Sequence, residues 1–448
     1  MIAYPLAAKF FEGFSILRWN DRLRPTEFIE IDHHAMKSMI TFFLGKSVED
    51  EVTTVDWIKI VDGNVFDLMR KISTSDIHAK IRTKLNNDDA VREAINKKIL
   101  DDWSNPQYAL EKLDDTLIGR FSSYINCQDK SSVESGILTF SHKFTTLNEF
   151  EIVKSFNGKD ADLDAIETEI NVDIDNAVAC FNEKRLFIDL VLKIRRHDKG
   201  EKLVSLIHFM QRLRYQIRWS QTPRIPSTNV LGHSMLVAVM VYFISLEAGL
   251  SKDRIINNFY AALFHDLPEA WTRDIISPIK NADDSISEKV SIIELEIVEN
   301  EILACIPESW RSHMQFILGH FYEKNGEGII QPMVSNECGL QEYKIHGEFS
   351  NRKSLDPHYK AVRIVPWGKE GKKPEEYLEE MDPMCPGVDG KIIKVCDGLA
   401  AYLEASMSVK YGLRSPHLDD GMYNTKTSII GKQIYGLEIK DFFKSIVF

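Results

Sequence analysis

Five residues in the second half of the chain have types suited to chemistry: His233, His265, Asp266, Glu269 and Asp397. Two imidazoles and two carboxylates make a mixed nitrogen and oxygen shell for a divalent metal (Mn, Co, Mg, Fe or Zn), with positions left for water and a phosphoryl oxygen. The third carboxylate, Glu269, is at hand to move protons. In ALFHDLPEAWTRDIISPIK, His265, Asp266 and Glu269 sit among apolar neighbours, where unpaired charge costs several kcal/mol. A bound cation offsets that cost. A helix cap is the alternative: Pro268 breaks a helix near Asp266, and Asp266 with Glu269 three residues on has capping-box spacing, worth about 1 kcal/mol. His233, opening an apolar helix, also reads as a core histidine. Lys394, Asp397 and Glu404 share one helical stripe that an ordinary solvated face would explain.

The elements that must position these residues are helical. Apolar residues recur at helical spacing over Leu203–Ile217, Met235–Leu246, Ile255–Phe264, Ile286–Leu303 and Ile392–Met407, which predicts an all-α fold. Strand-like composition is confined to Phe144–Phe156 and Lys360–Trp367, and a Gly-, Pro- and charge-rich segment, about 321–390, reads as an insertion of irregular or minor β structure. The apolar run Met235–Leu246 falls short of the roughly 20 residues a membrane span needs, so it predicts a buried core helix and no membrane partner. With 448 residues, 44% of them hydrophobic, the chain can bury more than one core. Its 55 basic residues against 67 acidic ones give a net charge of -12, which argues against wrapping nucleic acid; Lys193-Ile194-Arg195-Arg196 is the densest basic cluster. Six cysteines without a CxxC pair, and an N-terminus lacking a signal-peptide pattern, point to a reducing, cytoplasmic setting.

The two halves repeat one another. FFEGFSILRWNDRLRPTEFIEIDHHAMKSMITFF parallels HFMQRLRYQIRWSQTPRIPSTNVLGHSMLVAVMVYF, and the step from Trp19 to His33 is 14 residues, as is that from Trp219 to His233. IKIVDGNVFDLMRKISTSDIH matches AALFHDLPEAWTRDII less closely, and KLDDTLIGRFSSY matches KVCDGLAAYLEAS. On this alignment His33, Asp62 and Asp115 remain in the first half, whereas Val61 stands where the second half has a metal-type histidine. The expected organisation is a degenerate lobe, 1–195, and a catalytic domain, 196–448, the two packing as an internal pseudo-dimer or the chain pairing as a homodimer.

The arrangement H…HD…D on consecutive helices resembles the HD-domain metal-dependent phosphohydrolases. Arg218-Trp219, then His233, HDLPEAWTRDIISPIK and KVCDGLAAYLEA are similar to the bacterial 5′-deoxynucleotidases, over about Phe209–Lys280 and Ile392–Ala405. The resemblance implies an HD-domain helical fold and the removal of phosphate from deoxyribonucleoside 5′-monophosphates. It makes His233, His265, Asp266 and Asp397 metal ligands and Glu269 the residue that orients or deprotonates water. Arg218 would neutralise phosphate, Trp219 would pack on the sugar and disfavour a 2′-hydroxyl, and Asp274 and Lys280 occupy further substrate positions. The chain departs from the family at STNVLGH, which lacks a glutamate, at Arg273 in place of glycine, and in the long stretch between Asp266 and Asp397. Other readings are an HD-type triphosphohydrolase or nuclease, and a non-enzymatic nucleotide sensor or interaction protein.

Overall fold

Asn229 starts the helix around which the chain is organised. Its Oδ1 accepts from the Gly232 amide at 2.8 Å, an N-cap that satisfies one of the first-turn donors. The helix that follows, Val230–Glu247, is apolar nearly all round and buried from Val230 to Ser245, as such a helix must be in a water-exposed fold. It is long and apolar enough to cross a membrane by length and composition, but 89% of it is buried inside the protein.

The structure is a computed structural model. It describes residues 1–448 except 52–53, 76, 78–80, 82–83, 86, 128–130, 159–160, 180–188, 192, 195–200, 274–282, 320–321, 325–329, 333–339, 345–359, 365–386 and 447–448. Arg195 and Arg196 of the basic cluster therefore lie outside the described residues. The main helices are α1 (Tyr4–Phe11), α2 (Glu30–Glu51), α3 (Trp57–Thr74), α4 (Asp89–Trp103), α5 (Leu117–Asn126), α6 (Val133–Asn157), α7 (Ala161–Ala179) and α8 (Lys202–Met210). They continue as α9 (Val230–Glu247), α10 (Lys252–Phe264), α11 (Asp284–Ile297), α12 (Glu308–Leu318), α13 (Gly390–Lys410) and α14 (Pro416–Ile429). The short strands are β1 (Leu17–Arg18), β2 (Phe28–Ile29), β3 (Tyr322–Lys324), β4 (Ile330–Pro332), β5 (Leu340–Lys344), β6 (Lys360–Ile364), β7 (Gly387–Asp389), β8 (Gln433–Ile434) and β9 (Leu437–Glu438). This is an all-α fold with minor β structure, the strands β3 to β7 falling in the expected insertion.

The repeat is visible in the backbone. Leu17 pairs with Ile29 between β1 and β2, and Ile217 forms the same antiparallel bridge to Asn229. Glu30 N bonds to Ile16 O at 2.9 Å, and Val230 N to Gln216 O at 3.0 Å. Trp19 and Trp219 both adopt left-handed backbone, φ 55° and 56°, a conformation that L residues hold only where their surroundings enforce it. α2 and α9 then pack against each other at the middle of one continuous apolar core. At their N-terminal ends the contact is close: a Cβ on Gly232 would lie 2.6 Å from Phe14, 2.7 Å from Asp32 Oδ1 and 2.9 Å from Ile31.

Two expectations need correction. Phe144–Phe156 is part of the helix α6, not a strand. Ser132 caps that helix, accepting from Ser135 N, and Ile137, Phe140, Phe144 and Leu147 recur at helical spacing on its buried side, a long-range period that outweighs the local aromatic and β-branched composition. Lys360–Ile364 is a strand as expected, and 365–367 lie outside the described residues. The second correction concerns Asp115. It is exposed at the start of the region leading into α5, and the helix that packs on α2 as α13 packs on α9 is α6.

The insertion rejoins the helical core through β7, which pairs in parallel with β6 and runs directly into α13. Asp389, fully buried, accepts from Arg254 Nε at 2.7 Å and from Asn258 Nδ2 at 2.9 Å, and its amide donates to Asn258 Oδ1 at 2.7 Å. Both partners are on α10, so this knot fixes the start of α13 against the helix that carries His265 and Asp266 at its C-terminal end.

Candidate functional site

The ligand atoms of His233, His265 and Asp266 lie within 4.8 Å of one another, the one such group of three among the described residues. His233 comes from the first turn of α9, and the other two follow the last turn of α10, where Pro268 ends the helix. Asp397, about two turns into α13, joins the group through a contact of 3.1 Å between its Oδ1 and His233 Nε2.

Each imidazole is oriented by its other nitrogen. His265 Nδ1 donates to the Ala262 carbonyl at 2.6 Å, which leaves Nε2 bearing the lone pair in the neutral ring. That Nε2 is buried, takes part in no hydrogen bond, and lies 3.2 Å from Asp266 Oδ2. His233 Nδ1 donates to Glu404 Oε1 at 2.9 Å, the carboxylate–histidine arrangement that steadies a metal ligand. Burial and Arg218 push the His233 ring toward the neutral form, but Glu404 and Asp397 together raise its pKa. Burial likewise pushes Asp266 up, and His265, His233 and Arg218 overcome it, bringing the carboxyl to about 2. Asp397 is held well below the carboxylate range by His233 and Lys394 despite its burial. The donor set, an orphaned buried nitrogen facing two ionised carboxylates, fits a divalent cation.

The cap reading of Asp266 does not describe the structure. The short turn Glu269–Thr272 has no side-chain cap, and the Asp266 carboxylate faces His265 and, at 3.7 Å, Arg218 Nη1. Glu269 is half-buried at the start of that turn, its carbonyl accepting from Gln216 Nε2 at 2.8 Å. Asp274 and Lys280 lie outside the described residues.

Glu404 is what the sequence stripe misplaced: it is fully buried, not on a solvated face. It accepts from Trp219 Nε1 at 2.9 Å, lies 3.4 Å from Arg218 Nε and 3.3 Å from Arg224 Nη1, and holds His233. Burial raises its pKa, but Arg218, His233 and Arg224 lower it to about 2. Glu404 thus presents Arg218 and Trp219 beside the ligand group, and the Trp219 ring is braced from behind by Gly421, where a Cβ would approach within 2.5 Å. The missed signals were the seven-residue step from Asp397 to Glu404, which puts both on one helix face, and Arg224 after Arg218-Trp219, mirrored by Arg24 after Arg18-Trp19.

In the first half, Glu149 of α6 repeats this role. It accepts from Arg18 Nε at 2.8 Å and Trp19 Nε1 at 3.3 Å, and lies 3.4 Å from His33 Nδ1. One face and two turns back, where α13 has Asp397, α6 has His142, whose Nδ1 is 3.0 Å from His33 Nε2. Asp62 is not with them: it accepts from Tyr242 Oη at 2.6 Å and Arg120 Nη1 at 2.7 Å.

Comparison with known proteins agrees with this geometry. Residues 210–426 match the family model of the HD domain. A 5′-deoxynucleotidase of Pectobacterium atrosepticum is 25% identical over 135 residues, covering 29% of this chain and 66% of the relative. That of Photobacterium profundum is 30% identical over 124 residues, 27% of this chain and 63% of the relative, and that of Klebsiella pneumoniae is 23% identical over 188 residues, 36% and 92%. The chain thus spans just under two thirds of the length of the first two. No solved structure is significantly similar. With His233, His265, Asp266 and Asp397 all inside the matched region, the second half of this chain carries an HD domain that resembles the bacterial 5′-deoxynucleotidases.

Proposed function

We propose that the chain is a metal-dependent phosphohydrolase that removes phosphate from deoxyribonucleoside 5′-monophosphates. The observation that carries this reading is the convergence of His233, His265 and Asp266 within 4.8 Å, with Arg218 3.7 Å from the Asp266 carboxylate. His233, His265, Asp266 and Asp397 would hold the cation, which when bound polarises a phosphoryl oxygen and acidifies a water. Arg218, aligned by Glu404, neutralises charge on the phosphate, which is most of what phosphoryl transfer asks of a protein. Glu269 takes the proton of the attacking water. Trp219, whose ring is fixed by Glu404 and Gly421, offers a rigid face to the sugar and crowds a 2′-hydroxyl. The relatives' printed activity supports this substrate class, as does a chain whose acidic balance disfavours nucleic acid. A boundary near 195/196, with the first half acting as internal partner to the second, and a cytoplasmic setting complete the reading.

The test is phosphate release from a panel of deoxy- and ribonucleoside mono-, di- and triphosphates with Mn, Co or Mg. Release from deoxymonophosphates, abolished by Asp266→Ala and by Glu269→Ala, is the expected result. Release from triphosphates or polynucleotide alone would replace the substrate and keep the centre. No release with any metal from folded protein would make nucleotide binding without turnover the better account.

A further inference from the structure

The first half keeps the substrate-facing part of the site while losing the metal-binding part. Arg18 and Trp19 are presented as Arg218 and Trp219 are, by the same left-handed tryptophan backbone and by a buried glutamate that takes both Nε and Nε1. They line an open cavity of about 2010 Å³ between α2, α3, α4, α5, α6 and α7, together with Arg70, Lys71, His142 and Lys143. This is ample for a nucleotide, since ligand pockets are commonly about 300–1,000 Å³.

The carboxylates there find cationic partners without a metal ion. Lys37, one turn beyond His33 and fully buried, pairs with Asp67; the same position in the second half is Val237. Arg70 lies 3.0 Å from Asp67, Lys71 3.6 Å from Glu30, and Arg214 reaches across from the second half to lie 2.9 Å from Glu149. Arg18, Lys37, Arg70, Lys71 and Arg214 thus face Glu30, Asp67 and Glu149, with Asp32 pushed up to about 7 by burial. These inner pairs hold more cations than carboxylates, while the cavity wall as a whole carries as many acidic as basic side chains. The corresponding cluster around His233 sets Arg218, Arg224 and Lys394 against Asp266, Asp397, Glu404 and Glu269. His34, which also lines the cavity, lies with its Nε2 3.4 Å from Glu30.

We propose that this cavity is a second, metal-independent binding site for a nucleoside monophosphate, with Arg18, Arg70 and Lys71 meeting the phosphate and Trp19 facing the sugar. The ligand class rests on the roles given above to Arg218 and Trp219. Without metal ligands the site binds and does not hydrolyse. Arg214, held by Glu149 in this cluster, and Asn229, which donates to Asp32 and caps α9, tie it to the turn that carries His233.

Equilibrium dialysis of the full chain with 2′-deoxyadenosine 5′-monophosphate in EDTA tests the proposal. One saturable site is expected. It should weaken at least tenfold in both Trp19→Gly, which removes the ring and suits the left-handed backbone, and Arg70→Gln, a half-exposed position whose change spares the buried pairs. It should stay within twofold in Arg218→Gln. Inorganic phosphate should compete and deoxyadenosine should not. Absence of saturable binding to folded protein, loss in Arg218→Gln but not in the first-half variants, or equal binding of deoxyadenosine would each overturn it. Failure of the phosphohydrolase reading shows separately, as no phosphate release with any metal.

Discussion

Where the second half gathers His265, Asp266 and Asp397 around His233, the first half sets His142 and Glu149 against His33 and pairs Lys37, one turn further along α2, with Asp67. Both places stack histidine, carboxylate and arginine inside a helical core, and both must compensate buried charge. The second half leaves its carboxylates in excess and so can take a cation from solution. The first half brings its cation covalently, as the Lys37 ammonium, and replaces a carboxylate by His142. The contrast teaches that buried carboxylates at matching places in one chain can be compensated in two ways, by leaving room for a cation or by a side chain of the right charge.

The largest expected effect lies on the metal side. Asp266→Asn should lower phosphate release by roughly 10³-fold or more, about 4 kcal/mol of transition-state stabilisation, whereas Asp67→Asn should leave release within a few-fold and lower stability instead. Steady-state rates and urea melts on both variants read this directly; equal loss of rate would erase the distinction between the halves.

The paired glutamates should separate next. Glu404→Gln keeps the shape but releases His233, and metal affinity should fall by about 10–100-fold, measured by competition with a chelator. Glu149→Gln takes the close carboxylate from Arg214 and leaves Arg18 with Glu30 alone, so unfolding free energy should drop by about 3 kcal/mol while metal affinity is unchanged.

Acid should discriminate between the two histidines. Burial and Arg18 bring the His33 pKa down to about 4, more than Glu149 restores. The unfolded chain therefore binds a proton that the folded one refuses, and stability falls as pH drops from about 6.5 to 4, by about 3 kcal/mol for this group. His233, raised, contributes in the opposite sense: its share is full at low pH and is lost as pH rises through its folded pKa. His33→Gln should flatten the melt-against-pH curve on the acid side. A curve unchanged by that substitution would count against the neutral His33.

The smallest effect should be at Asp115. Exposed and outside both clusters, it should tolerate Asp115→Ala within about 0.5 kcal/mol and without change in phosphate release. A large loss would restore Asp115 as the partner of Asp397 and break the pairing of α6 with α13.

What the sequence made legible follows from distance along the chain. Arg218, Trp219 and His233 are close in number, their counterparts repeat at fixed spacing, and HDLPE names its own helix end, so helical periodicity and motif reached them. Asp397 was reachable by resemblance alone, because the insertion separates it from Asp266 and the Asp389 knot that returns it is a tertiary fact. Glu404 was misread because a stripe of Lys394, Asp397 and Glu404 looks solvated until Arg218 and Arg224 are placed over it. His142 and Glu149 were hidden for the same reason: α6 lies beyond α4 and α5, and the short match at Asp115 stood nearer in sequence.

Position 32 meets position 232 at the contact of α2 and α9, and there the chain has an aspartate on one side and a glycine on the other. Two separate identical subunits joined on such an axis would have to bring like against like: paired carboxylates that repel, or paired glycines that leave a void. Joining both copies in one polypeptide removes that obligation. Each half can then change its side of the seam alone, and a protrusion on one can be answered by a recess on the other.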